Sequence, residues 1–102
     1  MGEVTSEVTG EVTGPVRDWR DDRAAVVGYL CRVNGTASAA RVALYADAFL
    51  EYRLAQANIR EHGPVVLHPR TGAPIDNPLL KVRDRARAAL QKQHMRSDEL
   101  WA

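Results

Sequence analysis

Apolar residues recur at three- and four-residue spacing in three stretches, and each stretch predicts a helix. The first runs over 16–33, where Trp19, Val26, Tyr29, Leu30 and Val33 form a stripe. Asp18, Asp21 and Asp22 suit its first turns, where the helix dipole favours negative charge. Asn34-Gly35 ends it, with Gly35 free to take a left-handed cap. The second helix starts at Ala37 or Ala39 and ends at His62, with Thr36 or Ser38 as N-cap and Gly63 as stop. Its residues Val42, Tyr45, Phe49, Tyr52 and Ile59 follow heptad spacing, with Gln56 at the missing position. Ala43, Ala46, Leu50, Leu54 and Ala57 make a second apolar edge, so this helix needs two neighbours. One is the third helix. The other is the first helix or another subunit. The third helix opens at Asn77-Pro78 and continues to about His94, with Leu79, Val82, Ala86, Ala89 and Gln93 on one stripe. Ala86, Ala88 and Ala89 would allow it to approach the second helix closely.

Between the two long helices the pattern breaks. Residues 64–76 read as a loop or as a short hairpin, pairing Val65–His68 with Ala73–Ile75 across Pro69-Arg70-Thr71-Gly72. Pro74 confines any strand there to an edge. At the other end, Gly2-Glu3-Val4-Thr5, Ser6-Glu7-Val8-Thr9 and Gly10-Glu11-Val12-Thr13 are near-copies of one unit. Its period of four lacks an apolar helical stripe, so residues 1–15 read as a disordered tail, or as a segment that orders against a partner. The fold class is all-α: an antiparallel helical hairpin plus one N-terminal helix. A helical domain over 16–94 is followed by a C-terminal segment over 95–102.

Charge distribution adds more than total charge. The 102 residues carry a formal net +1, which does not describe a generally basic nucleic-acid-binding protein. Residues 1–14 hold three glutamates and no base, net −3, whereas residues 78–102 hold six bases against three acids, net +3. Different partners at the two ends follow. Lys81, Arg85 and Lys92 share one face of the third helix, with Arg83 and Arg87 on another. These five are the candidate DNA contacts, because phosphate neutralisation supplies most DNA affinity. The same charges could equally form a solvated helix face.

The chemistry-bearing residues do not converge. His62, His68, His94 and the single Cys31 lack metal-ligand spacing. There is no phosphate-binding glycine loop, Ser-His-Asp arrangement or carboxylate pair, so an enzyme, a cofactor and a metal are not expected. One cysteine excludes an intrachain disulfide, and no stretch has a signal-peptide or membrane-span pattern, which points to the cytoplasm.

Several stretches together carry a family resemblance. They are Tyr45-Ala46-Asp47-Ala48-Phe49-Leu50-Glu51-Tyr52-Arg53, Glu61-His62-Gly63-Pro64-Val65-Val66, Thr71-Gly72-Ala73-Pro74 and Asn77-Pro78-Leu79-Leu80-Lys81-Val82-Arg83-Asp84-Arg85-Ala86. In this order and spacing, over residues 38–90, the chain resembles the small subunit of terminases of tailed phages or phage-derived particles. The resemblance implies a ring-forming, non-enzymatic homo-oligomer. It would engage double-stranded DNA and recruit and regulate a terminase large subunit holding the ATPase and nuclease. In that setting Tyr45, Phe49, Tyr52, Leu50 and Leu54 are the candidate oligomer interface. Asp98, Glu99, Leu100 and Trp101 are the candidate large-subunit docking segment, the alternative being that Leu100 and Trp101 fold back on the core. No separate N-terminal helix-turn-helix is evident, so the expected DNA contact is weak and not sequence-specific. The competing assignment is a small dimeric DNA-binding regulator with Thr36–Glu51 in a helix-turn-helix. The absence of a compact basic recognition helix between residues 16 and 60 counts against it.

Overall fold

A computed structural model describes residues 18–102. The reading of residues 1–15 as a disordered tail lies outside them. A 3-10 turn (Trp19–Asp21) leads into α1 (Arg23–Val33). It is followed by α2 (Ala39–His62), a two-stranded sheet of β1 (Val65–Leu67) and β2 (Pro74–Asp76), α3 (Leu79–Lys92) and a last 3-10 turn (Asp98–Leu100). The architecture is mostly helical, with the short hairpin between the long helices present as an antiparallel pair, Val66 opposite Ile75.

The first helix starts later than its apolar stripe implies. Asp22 sits in extended backbone and its side chain accepts from the Ala24 N–H at 3.1 Å, so α1 begins after it. Asp18 likewise caps the preceding turn. These aspartates therefore act through specific hydrogen bonds and ion pairs, not only through the helix dipole. The expected left-handed Gly35 is also absent: among the described residues, positive φ occurs at Gly63 and Gly72. Asn34 ends α1 instead, with both its backbone N–H and its side chain donating to the Leu30 carbonyl.

Ser38 caps α2 through Arg41 N–H, and Gly63 stops it at φ 84°, ψ 173°. That backbone region is open essentially to glycine alone. Pro78 is helical (φ −56°) and the Asn77 side chain accepts from Leu79 N–H at 3.0 Å, so Asn-Pro opens α3 as its sequence suggests. Buried Asn77 also donates to Asn58 Oδ1 and to the Gly63 carbonyl. One side chain thereby joins the end of α2 to the start of α3.

α3 runs back antiparallel along α2, and α1 covers the N-terminal half of α2. The core cluster is Val26, Tyr29 and Leu30 of α1, Val42, Tyr45, Ala46 and Phe49 of α2, Leu90 of α3, and Leu100. Of the three alanines expected against α2, Ala86 alone is buried, while Ala88 and Ala89 face solvent.

Candidate nucleic-acid and assembly surfaces

At about 100° per residue, Lys81, Arg85 and Lys92 fall within roughly 40° of one another around α3. All three are exposed, on the side opposite buried Ala86 and Leu90. The structure therefore brings these three bases together as a solvent-facing stripe. It does not bring Arg83 and Arg87 to it. Arg83 is half-buried and donates to Asp84 Oδ1 at 3.2 Å. Arg87 leans over the Tyr52 ring with its guanidinium carbon 6.0 Å from the centroid.

The candidate interface residues on α2 separate in the same way. Tyr45 and Phe49 are 4% and 0% exposed within the single chain. Within the single chain they are core residues, and of the five candidates Leu50, Tyr52 and Leu54 keep surface of their own. The reason is that α1 and the C-terminal segment both close over the N-terminal half of α2, a coverage that the heptad pattern alone did not reveal. Tyr52 and Leu50 are half-buried. Leu54 remains 73% exposed, and so does much of Leu44 on a different face of α2. Val65 and Leu67 of β1 are exposed as well.

The segment over 95–102 is not a free tail. Asn34 grips Arg96 at both backbone groups, at 2.8 Å each. Tyr29 OH accepts from Glu99 N–H at 3.1 Å. Tyr45 OH and Ser97 Oγ are 2.9 Å apart. The Trp101 indole N–H is shared between them, and its ring meets Phe49 and Tyr52 edge-on at 5.0 and 5.6 Å. Leu100 is 1% exposed. Of the four candidate docking residues, Leu100 is therefore enclosed in the core. Asp98, Glu99 and part of Trp101 stay at the surface.

A cluster that the sequence did not reveal fastens this segment to the start of the fold. The Arg20 guanidinium holds both oxygens of Asp18 (Nε at 3.0 and 3.1 Å, Nη2 at 2.7 Å). Its Nη1 donates to the carbonyls of Leu100 at 3.3 Å and Ala102 at 2.8 Å. Arg53 adds a bond to Asp21 at 3.0 Å and stands 3.7 Å from Asp18. The hydrogen bonds from Arg20 hold the Asp18 carboxyl well below its ordinary value of 3.8, and Asp18 in turn raises Arg20. A search by spacing could find Asp18 and Arg20, two residues apart, but nothing marks carbonyls some 80 positions away as their partners.

Among the described residues no group of three or more His, Cys, Asp or Glu could hold a metal ion, and no helix is long and apolar enough to cross a membrane. The surfaces that remain are a basic helical stripe and patches of exposed aliphatic side chains. They are carried by a small, mostly helical fold. A family model described as phage terminase, small subunit, matches residues 25–96. The chain belongs to that family, and its role lies in phage DNA packaging. Members are generally non-catalytic, the ATPase being the large subunit. No curated protein and no solved structure matches the chain significantly.

Proposed function

We propose that this terminase small subunit is an oligomeric adaptor in the host cytoplasm that holds DNA weakly and presents it to the large subunit. The observation that carries the DNA contact is the outward stripe of Lys81, Arg85 and Lys92 on a helix rigidly packed by its other face. Three cations without an array of base-reading groups suit phosphate contact and low sequence preference. Repetition of the stripe around a ring would let weak contacts add through avidity. Arg83 and Arg87, held by Asp84 and by Tyr52, contribute to the local potential more than to direct contact. The exposed Leu54, with half-buried Leu50 and Tyr52 beside it, is the surface that supports assembly. The carboxylates of Asp98 and Glu99 and the open part of Trp101 remain for the large subunit.

The test is duplex DNA binding across a salt series. Lys81→Gln, Arg85→Gln and Lys92→Gln together should weaken binding uniformly across sequences. The slope of log affinity against log salt should flatten by roughly 0.9 for each phosphate that is no longer neutralised. An unchanged slope would place the DNA elsewhere on the molecule.

A further inference from the structure

On the side of α2 away from the basic stripe, a cleft runs between the C-terminal half of that helix and the Arg20–Trp101 clasp. Its floor is apolar, from Leu50, Leu54, Ala57 and the Trp101 ring. Its charged side chains are Arg20, Arg53 and Arg60 with Asp21, and Ala102 lies at its edge. Asp18 and Asp21 occupy Arg20 and Arg53, whereas Arg60 makes no ion pair among the described residues. Gln56 also lines the cleft, and its Oε1 is buried with no hydrogen-bond partner among the described residues. The cleft thus offers aliphatic contact and the positive charge of Arg60, a combination suited to an acidic, aliphatic stretch of polypeptide.

The chain itself supplies such a stretch. Residues 2–13 alternate Glu3, Glu7 and Glu11 with Val4, Val8 and Val12 and contain no base. The described chain begins at Asp18, whose carboxylate lies 2.7 Å from Arg20 and 3.7 Å from Arg53, both of which line the cleft. Seventeen residues precede Asp18. At ~3.3 Å each they reach up to ~55 Å, against ~15 Å for the stretch of α2 from Leu50 to Arg60. We propose that the glutamate–valine repeat of residues 2–13 docks in this cleft, with its valines on Leu50, Leu54 and Ala57 and its glutamates on Arg60 and its neighbours. The repeat then acts as an internal ligand of the face that also carries the aliphatic assembly surface. Whatever displaces it, a neighbouring copy or a partner protein, gains that surface.

The experiment uses the full chain. Thr9→Cys carries a nitroxide, Cys31→Ser leaves one labelling site, and Trp19→Phe leaves Trp101 as the sole tryptophan. Cys31, Trp19 and Arg60 are all exposed, so these replacements leave the core intact. A docked repeat brings the nitroxide against the Trp101 side of the cleft and quenches most of its emission relative to a diamagnetic label. Neutralising the repeat (Glu3→Gln, Glu7→Gln and Glu11→Gln) or reversing the cleft charge (Arg60→Glu) should each restore the emission. Salt at roughly 0.5 M should restore part of it. Absence of quenching, or quenching that survives both substitutions as tethering alone would, overturns the proposal. The readout needs neither DNA nor the large subunit, so it stands or falls separately from the packaging role.

Discussion

At the residue scale, Asp18 and Arg20 do more than their exposure suggests. A surface ion pair is ordinarily worth little, but this one orients a guanidinium whose remaining N–H groups hold the carbonyls of Leu100 and Ala102. Because the Asp18 carboxyl is held below its unfolded value, its stabilising contribution is present above that value, 3.8, and is lost as pH falls through the lower folded value. Near-UV circular dichroism of the Trp101 environment should therefore hold above pH ~4 and loosen progressively as the pH falls below it. Asp18→Asn should remove this acid dependence and leave the C-terminal segment less well ordered at neutral pH. An identical acid profile in the variant would show that Arg20 holds the segment without its carboxylate partner. Trp101, suggestive in sequence as an exposed anchor, is 47% exposed because one side of its ring is used within the chain. Deleting 100–102 would thus remove Leu100 from the core as well as any docking residue.

At the element scale, local signals explain why so much was legible. Ser38, Gly63 and Asn77-Pro78 are punctuation that works within a few residues, and each marks a boundary where the sequence places it. The hairpin forms because His68 and Gly72 close its turn: Nδ1 of His68 accepts from Arg70 and Thr71, and Gly72 takes φ 71°. The late start of α1 was less legible, since an apolar stripe extends beyond the residues that complete a helix once Asp22 caps it. The least legible were partnerships at long range. Heptad spacing identified the buried edge of α2 but left open whether the first helix, another subunit or the folded-back C-terminal segment covers it; within the chain, α1 and residues 97–101 lie over Tyr45 and Phe49. Asn77 tests the joint between elements. Asn77→Ala removes the α3 cap and leaves Asn58 Oδ1 and the Gly63 carbonyl without their donor, a cost of about 2–3 kcal/mol in chemical unfolding. A smaller change, well under about 1 kcal/mol, would mean that water takes over these hydrogen bonds.

At the scale of the whole molecule, the core is uneven. Its cluster lies where α1, α3 and the C-terminal segment surround the first half of α2. Beyond it, the second half of α2 packs mainly against α3, with Trp101 on Tyr52 and Asp21 on Arg53, and Leu54, Val65 and Leu67 are left exposed. A chain this small has little core to spare, and burial between copies would supplement it. The thermal midpoint should accordingly rise with protein concentration, as linkage to association requires. Leu54→Asp should abolish that rise and lower the assembled mass in native mass spectrometry, with the helical signal retained. A variant that assembles normally would move the contact to Leu44 or to the hairpin face.

The meeting of Asp18, Arg20, Glu99 and Ala102 around one small hollow has a topological meaning. The described polypeptide is close to a closed circuit, its two ends separated by little more than a guanidinium group. A short linker could join residue 102 to residue 18, and the circuit could be opened instead at the exposed Thr71–Gly72 hairpin tip. Any appendage at residue 102 in the present order emerges beside Asp18.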